Sequence, residues 1–330
     1  MAAWEPLVAA AFVPFVVWVL WRVQAIAVDQ VLRRGLYRLL RNLKPVYNVV
    51  SWTGVLLHET SHAVMLLLGG HGIRGFKVGI DAGHVTPSQV RKGPVGLLTF
   101  VAAALAPLYI APGVILLLLV LLVAPGLIGY ASAGPGLDSA VDVLRTMFVA
   151  FPPALLRSMF GLDLATWTGA AVFLLAVFAL PAARPSHVKG RDGAKDEGDI
   201  AVARSRLRKH PLVVAAFFLA VYGLYFALVP LLPVVYWAVF QTVWAVAMTG
   251  ILLAVVGGVG WWLVARTGRI TPLLQAAPWL LALAAQVIPR MVGMPWSDSP
   301  LRMNAASAVL FAASTLVLAT VAGRRGVRGL

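Results

Sequence analysis

From Pro233 to Ala265 the chain runs 33 residues without one Asp, Glu, Lys or Arg. About 20 apolar residues suffice for a helix to cross the hydrocarbon of a bilayer. In hydrocarbon every backbone N–H and C=O must find its partner inside the protein, which leaves helices and closed barrels. Further apolar runs occupy residues 4–21, 46–69, 96–124, 164–181, 212–231, 271–291 and 305–322. None shows the period-two alternation of a barrel strand, and all are too long for one. Only 12% of the residues are charged, half the usual share of about 25%. The pattern predicts an all-α polytopic membrane protein with about seven to eight transmembrane helices.

The polar intervals divide the chain. Residues 1–45 read as a first span followed by an amphipathic interfacial helix with arginines at helical spacing. Residues 71–95 break into short alternating pieces, Ile73 to Ile80 and Gly83 to Thr86, which predict a membrane-associated β-hairpin. Residues 125–163 read as interfacial, with a short helix around 137–150. Residues 193–211 form a basic linker between a core at 46–192 and a second membrane half at 212–330. The run at 233–265 contains Gly257, Gly258 and Gly260, and is expected to tilt or break. The net charge of +15 sits between apolar runs, where it suits lipid headgroups and sets topology rather than binding nucleic acid. Residues 71–95 and 182–211 carry twelve Lys and Arg against eight in 22–45 and 125–163, which leans them towards the cytoplasm. With no cysteine in the chain, disulfides and thiolate metal ligands are excluded.

The second run breaks its own rule. Inside Val55–Leu68 stands His58-Glu59-Thr60-Ser61-His62, an H-E-x-x-H sequence. Residues four apart leave one face of a helix, so both imidazoles can share a Zn²⁺. The Glu between them can serve as general base toward a water that the metal activates. The chain has only three Glu and six His, and an ionisable residue at the centre of a membrane helix costs roughly 2.5–3.5 kcal/mol on insertion scales. One Glu and two His at metal-site spacing in such a segment point to a job there.

A catalytic zinc takes three protein ligands. The candidates for the third are Asp138, Asp142, Asp163, His71, His84 and His187. The second and fourth runs point the same way through the bilayer, which brings a group just past the fourth level with His58 and His62. His187 suits that position better than the interfacial aspartates.

The H-E-x-x-H helix, the strand-like loop after it and the proline-containing span that follows resemble the site-two-protease-type intramembrane zinc metallopeptidases. The closer resemblance is to a prokaryotic branch, over roughly residues 46–192. That branch has a Gly-aromatic-Val loop motif, an Ala-Pro pair and a Pro-Ser-Asp-hydrophobic-Lys-Gly motif. Here these read Gly83-His84-Val85, Ala106-Pro107 and Pro185-Ser186-His187-Val188-Lys189-Gly190. His187 thus stands where the branch has Asp, and imidazole can replace a carboxylate on zinc. The family's Leu-Asp-Gly motif has only Leu137-Asp138-Ser139 as its nearest match.

The resemblance implies a multi-pass protein of a prokaryotic cell membrane that hydrolyses membrane-spanning or membrane-proximal peptide substrates. It implies zinc on His58, His62 and His187 or Asp138, with Glu59 as base. Two other classes stay open. One is a non-proteolytic scaffold or regulatory protein that keeps the zinc-site fold. The other is an ion or proton transporter, which needs further polar groups in residues 212–322; Gln241 and Gln286 are the strongest there.

Overall fold

The computed structural model describes Val19 and residues 44–79, 83–129, 137–179, 199–231, 233–266 and 272–327. The expected first span, most of the amphipathic segment, the Pro185–Gly190 motif with His187, and the start of the basic linker lie outside the described residues.

The fold is mostly helical. Helix α1 (Lys44–Leu68) is followed by strands β1 (Gly72–Val78) and β2 (Gly83–Gln89). Then come α2 (Gly93–Leu105), α3 (Pro107–Leu122), α4 (Leu137–Arg145), α5 (Phe151–Phe160) and α6 (Trp167–Leu174). The second half holds α7 (Asp199–Arg208), α8 (Pro211–Leu231), α9 (Pro233–Arg266), α10 (Pro272–Met291) and α11 (Pro300–Val327). Among the described residues three helices are long and apolar enough to cross a membrane: Val141–Phe160, Trp237–Gly260 and Pro300–Val321. A fourth is added if α2 and α3, bent by 56° against each other, count as one span.

That count, made among the described residues, is below the seven to eight expected; the expected first span lies outside them. In α1 the three ionisable side chains of H-E-x-x-H dilute the apolar run. The expected fourth span is a shorter apolar helix, Trp167–Val177. In compensation, the segment read as interfacial is a helix of spanning length. Pro152 and Pro153 lie within it, and just before them the chain opens into a π turn at Thr146–Ala150, with the Phe151 N–H bonded to the Thr146 carbonyl. A π turn absorbs the carbonyls that the prolines leave without helical donors. Val143, Met147, Phe151, Leu155 and Met159 are all buried. Spacing by four overshoots the 3.6-residue turn, and the wider π turn takes up part of the overshoot, so these residues stay near one face.

That face packs with Ile115 and Leu119 of α3 and with Trp237, Trp244 and Leu253 of α9. The first and second halves of the chain therefore share one core. Helix α9 runs unbroken through its glycines. At 34 residues it is about 51 Å long, well beyond a hydrocarbon layer of about 30 Å. Helices α10 and α11 pack side by side. Gln286 donates to Asn304 (2.8 Å) and Ser307 (3.0 Å), and Asn304 donates to the carbonyls of Phe160 (2.8 Å) and Leu162 (2.6 Å) at the end of α5.

Two features place the hairpin. Helix α1 stops at Gly69-Gly70, where the Gly70 and His71 N–H groups bond the Leu67 and Leu66 carbonyls. Gly70 has φ +73°, the left-handed closure that favours glycine. The chain then turns into the antiparallel β1–β2 pair, with Lys77 opposite His84 and Val78 opposite Gly83. Both strands pack against α1.

Candidate metal centre

His58 and Glu59 are buried at 4% and 5% exposure, and His62 is half-buried. The Nε2 atoms of His58 and His62 stand 3.0 Å apart, with their rings nearly perpendicular at 83°. Two nitrogens about 2.0–2.1 Å from one tetrahedral zinc are separated by roughly 3.3 Å, so the pair is close to ligand geometry.

The tautomer follows from the other side of the ring. His62 Nδ1 lies 2.7 Å from the Ala103 carbonyl of α2. A carbonyl only accepts, so Nδ1 carries the proton and Nε2 of the neutral ring presents a lone pair to His58. Two imidazole lone pairs cannot face each other at 3.0 Å; a proton or a metal cation has to lie between them. A ring whose far N–H is held by a carbonyl is also how zinc proteins orient their histidines.

The Ala103 carbonyl can take this bond because of a proline. In an unbroken helix that carbonyl would accept from the N–H of residue 107, but residue 107 is Pro and has none. What remains from the backbone is a 3.2 Å bond from the Ala106 N–H. The Ala106-Pro107 break, where the helix bends by 56°, thus exposes one acceptor toward α1, and His62 occupies it.

Glu59 meets the hairpin. A Cβ at Gly83 would collide with Glu59 Cγ and lie 2.9 Å from both Glu59 Cδ and the Lys77 carbonyl. Only glycine lets the first residue of β2 come this close to the carboxylate side chain. Ser61 is fully buried and donates to the Leu57 carbonyl at 2.7 Å, satisfied within its own helix.

The other candidates separate clearly. His71 is 2% exposed, but both its nitrogens are committed. Nδ1 accepts from the Arg91 N–H at 3.0 Å, and Nε2 lies 2.8 Å from the Thr99 hydroxyl. It braces the end of α1 to the start of α2 and is no ligand. His84 is exposed on β2, and Asp142 is exposed on α4. Asp163 pairs with Arg290 at 2.7 Å. Its carboxyl is held below the ordinary range, chiefly by the Ala165 N–H, against a smaller upward push from burial, with Arg290 adding to the lowering. Asp138 is in α4, with its side chain outside the described ones, and His187 lies outside the described residues. Among the described residues no group of three His, Cys, Asp or Glu is placed to hold one ion.

Sequence reasoning missed the Ala103 carbonyl and the role of Gly83. The Ala-Pro pair and the Gly-aromatic-Val motif were the available signals, and their mechanical meaning needed the fold. No protein-family model, curated protein or solved structure matches the chain.

Proposed function

We propose that the chain is a multi-pass membrane zinc endopeptidase that cleaves membrane-spanning or membrane-proximal peptides, in a prokaryotic cell membrane as the family resemblance implies. The observation that carries this reading is the convergence of His58 and His62 Nε2 at 3.0 Å, with the His62 tautomer held by Ala103. Zinc, when bound, supplies Lewis acidity toward a scissile carbonyl and toward water. His58 and His62 are two of its ligands, and the third is His187, with Asp138 as the alternative. The π turn Leu175–Ala179 packs against α1, the helix that carries the histidine pair. The eight residues from Ala179 to His187 reach up to about 28 Å.

Glu59, buried beside the pair, takes a proton from the attacking water and delivers it to the leaving amine. Hydroxide adds to the carbonyl carbon and the C–N bond breaks, so one water is consumed per bond. An intact substrate helix hides its amides, so the substrate must unwind. The hairpin backbone against Glu59 gives the unwound segment a strand to lie along.

The test compares new peptide N-termini in membranes of cells expressing the wild-type chain and Glu59→Gln. Termini inside or beside apolar segments that vanish in the variant, with zinc content preserved in both, support the enzyme. Identical sets of termini overturn it. The second reading, a zinc-bearing scaffold without proteolysis, is favoured by the Asp-to-His change at position 187. It predicts stoichiometric zinc and identical termini.

A further inference from the structure

A second site lies away from the histidine pair, where the exit of β2 meets the basic linker. Helix α7 packs along α2 through Ala203 against Val101 and Ala104. At one end of this contact a cleft of about 420 Å³ opens, with Arg91, Lys92, Arg206 and His210 in its walls. Its volume is within the range of small-ligand pockets. Among the described residues no carboxylate lines it, and three permanent cations, Arg91, Lys92 and Arg206, stand in its walls.

Two details give the cleft a shape rather than a mere charge. The Arg206 guanidinium lies over the Phe100 ring, 5.5 Å from its centroid, a stacking contact that orients its remaining donors. Phe100 and Val213 supply an apolar flank. Val213 belongs to the first turn of α8, where a 21-residue apolar helix begins. The cleft therefore joins exposed cationic side chains to a largely apolar lining that reaches the first turn of α8.

We infer that this cleft binds a phosphate group, with Arg91, Lys92 and Arg206 as its ligands and Phe100 and Val213 against an apolar neighbour of that phosphate. The chemistry is shared by an anionic phospholipid headgroup and a soluble phosphate ester. The inference does not rest on proteolysis. Bound phosphate would tie the β2–α2 connection to the linker that leads into the second membrane half.

The experiment is native mass spectrometry of the full chain in detergent, supplied with equal phosphatidylglycerol and phosphatidylcholine, with glycerol phosphate as a separate addition. Preferential retention of phosphatidylglycerol is expected. Arg206→Gln should reduce it about fivefold, and Arg91→Gln with Lys92→Gln should reduce it further by about that factor per charge. Arg206→Lys should keep most of it, and Arg302→Gln, an exposed cation on α11, should leave it unchanged. Specific retention of glycerol phosphate with no lipid preference, lost in the same variants, identifies the source as a soluble ester and still supports the site. Equal retention of both lipids with no glycerol phosphate bound overturns it, as does a preference that persists in both cleft variants.

Discussion

Two polar clusters interrupt the apolar helices, and they are built to opposite plans. In α10 and α11, Gln286, Asn304 and Ser307 are neutral, and their bonds close on one another or on backbone. Asn304 spends both amide protons on the Phe160 and Leu162 carbonyls, and Ser307 donates to Ala282 at 3.0 Å. The Phe160 carbonyl is a helix-end group of α5 that needs a partner anyway, and Leu162 follows just past that end. In α1 the groups are ionisable, and two ring nitrogens aim at each other rather than at backbone. The first arrangement closes its donors within the architecture, and among the described residues only the Gln286 Oε1 acceptor of this cluster is buried without a partner. The second turns two ring nitrogens toward one point, the geometry in which a cation can be shared. His71 shows that the distinction lies in geometry, not residue type: it is as buried as His58, yet Arg91 and Thr99 engage both its nitrogens.

Substitutions can break this contrast. Glu59→Gln should carry the largest effect, a loss of cleavage of about 10²–10⁴-fold, read as product termini per unit of zinc-loaded protein. Retained activity would move the α1 cluster into the architectural class. Pro107→Ala comes next. It restores an N–H that competes for the Ala103 carbonyl, and should weaken zinc binding by about 10- to 100-fold in a chelator competition. Unchanged affinity would mean that the carbonyl does not orient the ring.

Asn304→Ala should lower stability toward denaturant by about 1 kcal/mol and leave zinc content untouched. A drop in zinc would show that the clusters are coupled. Asp163→Asn is the smallest. The pair with Arg290 is substantially exposed, at 41% for the Asp side chain, and screening limits it to about 0.5 kcal/mol. Because the folded carboxyl titrates below its usual value, its contribution is present above the unfolded value of about 3.9. That contribution disappears as pH falls through the lower folded value. Melting curves of the two proteins should differ at pH 7 and converge as pH falls below the folded value, and a gap that widens with acid would reverse the sign.

What the residues disclosed beforehand was whatever side chains advertise. Apolar runs announced the helices, Gly69-Gly70 the stop of α1, alternation the hairpin, and two His with one Glu the face of α1. What they hid was carried by backbone. The π turn at Thr146–Ala150 converts two prolines from a break into a continuous helix, and no side chain signals it. The acceptor that orients His62 is a main-chain oxygen 41 residues away. Gly83 matters through the atom it lacks. Of the seven to eight spans expected, three to four helices among the described residues are long and apolar enough to cross a membrane.

The Ala103–Pro107 arrangement has a consequence for mutational scanning. The residue that supplies the acceptor cannot lose it by substitution: Ala103→Gly leaves the carbonyl where it was. Control of the bond sits four positions on, at a residue that contributes no atom to it. A scan scored for zinc retention should therefore be tolerant of the smallest change at 103 and intolerant at 107. The sensitive position would look remote from the metal, and its effect would be transmitted by one missing hydrogen.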